Sequence, residues 1–408
     1  MVLWLYSSAI RLYGLAIHFT ALFSSKARHI VEGRRQTFSH IAARKAKHSD
    51  SEWLWIHAAS LGEFEQGRYL IEQLRTNYPQ YKIALSFYSP SGYIPRQQYD
   101  QVDAVFYIPL DTLSKASELV QILSPKLAIF IKYDFWWNHL KALQSAKIPT
   151  VFVSAMIRKD QYFIKRSLGN IRSILKGVNH YYVQNPESKQ LLQSIGINQS
   201  TICGDSRLDS IVNELPQQLK VSEKLFNWKK DRKCIIYGSV HMSDMHIVNA
   251  MLGKDACHLV VPHDVDDDNI VRIQKAISTE SQLCREAEMN SNVVILAQTG
   301  ILRHIYDLAD IVYIGGGFGN GIHNILEPLV QLKPILIGPR YDKFPEAIVL
   351  TKKGAIEVVV DSQSAIQAKN RLLGKDNNSE LQKQKTYISM NTGATQKILH
   401  SLSKNLWI

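Results

Sequence analysis

The chain reads as an α/β protein of two Rossmann-like domains facing across a cleft behind an N-terminal hydrophobic helix, and three observations carry that reading. Its 408 residues exceed the size at which a single hydrophobic core usually stops growing. From residue 53, short apolar runs alternate with longer stretches of helical periodicity, the pattern of a parallel sheet with crossover helices. That alternation lapses near residue 210 and starts again at 233, so it occurs twice.

The first segment stands apart. Residues 1–24, MVLWLYSSAIRLYGLAIHFTALFS, are mostly apolar, interrupted by Arg11 and His18 and succeeded by Lys26, Arg28, Arg34, Arg35, Arg44, Lys45 and Lys47. The run is near the ~20 residues that span hydrocarbon, yet Arg11 at its middle would be costly there. Three readings stay open: a single span, an interfacial anchor with Trp4, Leu5, Leu15 and Phe19 toward lipid, or an ordinary helix packed on the protein. The basic tract favours anionic headgroups and a cytoplasmic position for the two domains, at a cell inner membrane. Because that tract comes after the apolar run, a removable signal peptide is disfavoured.

WLWIHAAS (53–60), KIALSFYS (82–89), AVFYIPL (104–110), LAIFIKY (127–133), TVFVSAM (150–156) and HYYVQN (180–185) read as the strands of a first domain, residues 50–215. Between the first two, EFEQGRYLIEQLR places Phe64, Gly67, Leu70, Ile71 and Leu74 on one helical face. A charged, Pro-containing stretch leads to a second domain, 230–375, with strands in KCIIYGSV, HLVVPH, VVILAQ, IVYIGGG, PILIGP and AIEVVVD. Residues 376–408 close with a helix expected to pack back on the first domain.

A formal charge of +12 favours an anionic partner. No basic run interleaved with aromatics and no recognition-helix pattern points to nucleic acid. Cys203, Cys234, Cys257 and Cys284 stand singly, without metal-ligand spacing.

The sharpest motif is IGGGFGNGIHNILEPLVQLKPILIGP, 314–339, where Gly315, Gly316 and Gly317 would let backbone approach a ligand after a strand. HNILEP then predicts a helix whose N-terminal amides suit a phosphate, with Glu327 one turn inside to take ribose hydroxyls. Ser239 and His241 end the first strand of the same half, where a hydroxyl and an imidazole would also meet phosphate, although Ser239 as a plain helix cap reads equally well locally. In the first half, HAASLGEFEQG puts Glu63 at a strand–helix junction, where the helix N-terminus would keep it ionised as a base. Alternatively it only satisfies the helix dipole. Asp134 ends another strand, with Lys132 and Arg158 as nearby positive charge.

SLGE, the strand-end acid followed by Trp136, GS-x-H and G-x-HN-x-LEP, in this order from the hydrophobic N-terminus to about residue 360, resemble the 3-deoxy-D-manno-octulosonic acid (Kdo) transferases. The resemblance implies a GT-B fold and an inverting glycosyltransferase that moves Kdo from CMP-Kdo to the lipid A precursor, without a cofactor or metal. It implies Glu63 as general base, Asp134 in the place of a strand-end glutamate, and a donor site of Ser239, His241, His263, Gly315, Gly316, Gly317, His323, Asn324 and Glu327. The chain departs from the family at Lys132–Tyr133–Asp134, where an acid-Thr-Glu run is common, at His263–Asp264, where an Arg-His pair is common, and in a shorter Gly-rich loop. Rival readings are a UDP-sugar transferase or epimerase of the same fold, an inactive membrane scaffold, and a polyanion-binding module.

Overall fold

The structure, a computed structural model, describes residues 2–165, 169–214, 220–284, 289–374 and 378–408. The chain forms two compact units, Met1–Ser210 with Asn391–Ile408, and Ile211–Met390.

The first unit opens with two helices, α1 (Val2–Thr20) and α2 (Ser25–Lys47), the second capped by Ser24, whose hydroxyl accepts the Ala27 N–H at 3.4 Å. α1 is docked on the unit by the Tyr6 hydroxyl, which donates to Asp111 at 2.6 Å. Its other face leaves Trp4, Leu5, Leu12, Leu15 and Phe19 exposed. Among the described residues, no helix is long and apolar enough to cross a membrane, so the single-span reading of residues 1–24 gives way: Arg11 and His18 break the apolar run.

Seven parallel strands come next: β1 (Trp53–Ala58), β2 (Lys82–Phe87), β3 (Ala104–Tyr107), β4 (Leu127–Ile131), β5 (Thr150–Ala155), β6 (His180–Val183) and β7 (Ser200–Ile202), ordered β3-β2-β1-β4-β5-β6-β7. Every residue of β1, β3, β4 and β5 is buried, as a parallel sheet covered on both faces requires. One face packs on α3 (Leu61–Asn77) through Phe64, Leu70, Ile71 and Leu74. The helix Ala394–Lys404 buries Ala394, Ile398, Leu399 and Leu402 in that same cluster. Its start is fixed by the buried Asp209 carboxylate, which accepts the Gly393 and Thr395 N–H groups, each at 2.6 Å.

The second unit repeats the architecture with β8 (Cys234–Val240), β9 (Cys257–Pro262), β10 (Gln282–Leu283), β11 (Val293–Ile295), β12 (Ile311–Ile314), β13 (Ile335–Ile337) and β14 (Glu357–Val358), ordered β10-β11-β9-β8-β12-β13-β14 and again parallel. The two-residue strands β10 and β14 lie at its edges. In each sheet the unit's first strand sits beside a later one reached by a crossover, β1 beside β4 and β8 beside β12. Such switch points open a crevice outside the carboxyl ends of the strands, where ligands of open α/β sheets bind.

Candidate active site

The switch point of the first unit gathers Glu63, Asp134 and His57. Glu63 is the third residue of α3, and its Oε2 accepts the Ala59 N–H at 2.8 Å. The residue is only 9% exposed. Burial first, and Asp134 second, push its carboxyl up to about 7, opposed by Lys132 and by the Ala59 and Ser60 amides. The sequence-based expectation that the helix N-terminus holds Glu63 ionised is thereby corrected. A helix dipole contributes about 0.3–1 kcal/mol near a terminus, and desolvation outweighs it at this position.

Asp134 lies in the loop after β4, with Oδ2 3.6 Å from His57 Nε2, outside hydrogen-bond range. The pair is not a salt bridge. Trp136 Nε1, which can only donate, gives its hydrogen to His57 Nε2 at 2.9 Å, so the ring proton sits on Nδ1, 2.8 Å from Ser86 Oγ. Burial lowers the His57 pKa and keeps the ring neutral. Asp134 Oδ2 thus faces an imidazole lone pair and, though buried, has no hydrogen-bond partner among the described residues. Unpaired here, it raises the proton affinity of Glu63 instead of being quenched by a cation. Lys132, at a left-handed φ of 71°, and Arg158 bracket the Tyr133 ring at 5.1 and 5.2 Å.

Sequence reasoning missed His57. The available signal was a lone polar side chain in the otherwise apolar run WLWIHAAS, just ahead of SLGE.

In the second unit, the switch point brings together the ends of β8, β9 and β12. Ser239 adopts a left-handed φ of 55° where the β8–β9 register shifts, and His241 comes just after the strand. A Cβ on Gly315 would lie 2.5 Å from Ser239 O, and one on Gly317 would lie 2.6 Å from Gly338 Cα. Gly315 and Gly317 therefore let the loop pack closely on neighbouring backbone. The helix after HN is shorter than expected: it spans Leu326–Val330 only, and Pro328 is buried inside it. Glu327 is its second residue, and exposed Asn324 accepts the Leu326 N–H at 3.0 Å in the turn that leads into it.

Asp244, which the sequence did not single out, ties the site together. Fully buried, it accepts the His241 and Gly316 N–H groups and the Tyr313 hydroxyl, each at 2.9 Å. His241 and His323 meet at 2.8 Å between their Nε2 atoms, and the His263 ring stacks on His323 with centroids 4.1 Å apart. Burial and the two neighbouring rings push the His323 pKa down to about 4, so it is neutral near pH 7. These three imidazoles are the group among the described residues with the spacing of a metal-ligand set.

Two parallel-sheet Rossmann-like units, each with a switch point at the carboxyl ends of its strands, make up the GT-B architecture. The chain is similar to the Kdo transferases: residues 32–210 match the family model described as "3-Deoxy-D-manno-octulosonic-acid transferase (kdotransferase)". The 3-deoxy-D-manno-octulosonic acid transferase of Haemophilus influenzae is 26% identical over 377 residues, covering 86% of this chain and 87% of that protein. The Chlamydia muridarum protein of the same name is 25% identical and covers 78% of each chain. Among solved structures, a UDP-GlcNAc 2-epimerase from Neisseria meningitidis bound to UDP-GlcNAc aligns with a TM-score of 0.62 at 16% identity, covering 86% of this chain and all of that one. A Rickettsia africae glycosyltransferase aligns at 0.59 and 11% identity, covering 88% of this chain and 99% of that one. At these identities the solved structures speak to the fold alone.

Proposed function

We propose that the chain transfers Kdo from CMP-Kdo to the lipid A precursor with inversion at the anomeric carbon. The observation that carries this reading is the match of the unit holding Glu63 to the Kdo transferase model. Glu63 takes the proton of an acceptor hydroxyl as its oxygen forms the new bond to the anomeric carbon of Kdo. The bond from that carbon to the phosphate oxygen breaks, and CMP leaves with the electron pair. A carboxyl poised at about 7 suits a base working near neutrality. The second unit holds the donor, with Ser239, His241, His263, His323, Asn324 and Glu327 around the nucleotide and the 315–317 loop as its floor.

The acceptor is membrane-bound in this reading, and the enzyme works on the cytoplasmic leaflet of an inner membrane. Support comes from α1, whose Trp4 is 70% and Phe19 67% exposed, next to the exposed cations Lys26, Arg28, Arg35, Arg44 and Lys47 on α2. Apolar side chains beside a basic helix fit an interfacial anchor on anionic lipid.

The test is incubation of the full chain with freshly made CMP-Kdo and purified lipid A precursor, read by mass spectrometry, with UDP-GlcNAc as a parallel donor. Addition of one or more Kdo masses is expected. Turnover of UDP-GlcNAc with no Kdo addition would sink the proposal in favour of a UDP-sugar enzyme.

A further inference from the structure

Three neighbouring strands of the second sheet, in the order β9-β8-β12, each deliver one histidine just beyond their carboxyl ends. His241 comes directly after β8, and its backbone N–H is fixed on Asp244 at 2.9 Å. His263 comes directly after β9, its N–H donating to Val240 O at 3.1 Å. His323 lies in the loop after β12, its N–H donating to Gly315 O at 3.2 Å. The backbones are thus held by the sheet edge, while the rings converge on one another.

We propose that His241, His263 and His323 bind one divalent transition-metal ion of borderline softness, Zn²⁺ being the reference case. One ring nitrogen from each histidine can be chosen so that all three lie within 4.8 Å of one another. Nitrogens around a tetrahedral zinc, each ~2.0–2.1 Å from the ion, stand about 3.3 Å apart. The 2.8 Å contact between His241 and His323 is a hydrogen bond that metal binding would replace: its proton leaves, the two nitrogens part to about 3.3 Å, and the exposed His263 ring turns out of its stack on His323. Three imidazoles suit zinc, nickel or copper over magnesium or calcium, which prefer oxygen. Three protein ligands also leave a fourth position open, as in zinc sites that take up an exchangeable oxygen ligand. Asp244 supplies the support that such sites need behind their ligands, because one carboxylate holds both the His241 backbone and the loop that carries His323.

The experiment strips the full-length protein with chelator and titrates Co²⁺, then Zn²⁺ in competition. One equivalent of Co²⁺ per chain is expected, with the intense visible bands of a four-coordinate ion, displaced by Zn²⁺. His263→Ala and His323→Ala should each weaken binding by at least about tenfold, with circular dichroism unchanged. His29→Ala on α2 should leave it intact. Absence of stoichiometric binding, or equal loss in His29→Ala and His263→Ala, overturns the proposal. The readout uses metal alone, so failure of Kdo transfer would leave this site standing, and failure of this site would leave the transfer reading standing.

Discussion

Glu63 is held near neutrality by opposed forces, and the balance is open to test residue by residue. Burial and the Asp134 charge raise its pKa, whereas Lys132 and two backbone amides lower it. Asp134→Asn removes a raising charge, so the acid limb of the kcat/KM profile for transfer should move to lower pH; an unmoved limb would show that Asp134 does not act on the base. Stability responds in the opposite sense to activity. A carboxyl whose folded pKa, about 7, lies above its ordinary 4.5 favours the folded state fully below pH 4.5, and that advantage is lost as pH rises through 7. Glu63→Gln should therefore stabilise the fold at pH 8, by an amount on the order of 1–3 kcal/mol seen as a raised melting temperature, and have little effect at pH 4. Equal effects at both pH values, read by thermal unfolding, would contradict this.

At the scale of elements, the ends of β8 and β12 form one unit because Asp244 holds them both. Asp244→Ala strands two buried N–H groups and a buried tyrosine hydroxyl, and should cost about 2–4 kcal/mol in a urea titration. A loss below about 0.5 kcal/mol would mean that water replaces the carboxylate. The strands and the α3 face were legible in the sequence because buried parallel strands are continuous apolar runs of Trp53, Ile83 or Ile129 type. Glu63, Asp134, Ser239 and His241 were legible as residues at or just beyond strand ends, which a switch point collects, whereas His323 was legible through the Gly-rich HN motif and His263 only through the family resemblance. Less could be read of their states. The pKa of Glu63, the orphaned Asp134 oxygen and the His57 tautomer depend on neighbours brought together from strands distant in sequence. The close approach of Gly315 and Gly317 to Ser239 and Gly338 was hidden for a related reason, since spacing along the chain does not show it.

Over the whole molecule, the apolar face of α1 and the cations of α2 sit on the unit that carries Glu63. On the proposed reading this places the base where a lipid-borne hydroxyl arrives. Leu15→Glu combined with Phe19→Glu should abolish sedimentation with anionic phospholipid vesicles and leave the melting temperature unchanged, since both side chains are exposed. Retained vesicle binding would assign the face to another partner.

Kdo transfer to the lipid A precursor by the wild type and by Glu63→Ala, read by mass spectrometry with CMP binding measured on both, bears most closely on the role of this carboxyl. A roughly 10²- to 10⁴-fold loss of turnover is expected in the variant at unchanged CMP affinity. A variant that transfers Kdo at the wild-type rate would contradict that role and move the base elsewhere in the unit.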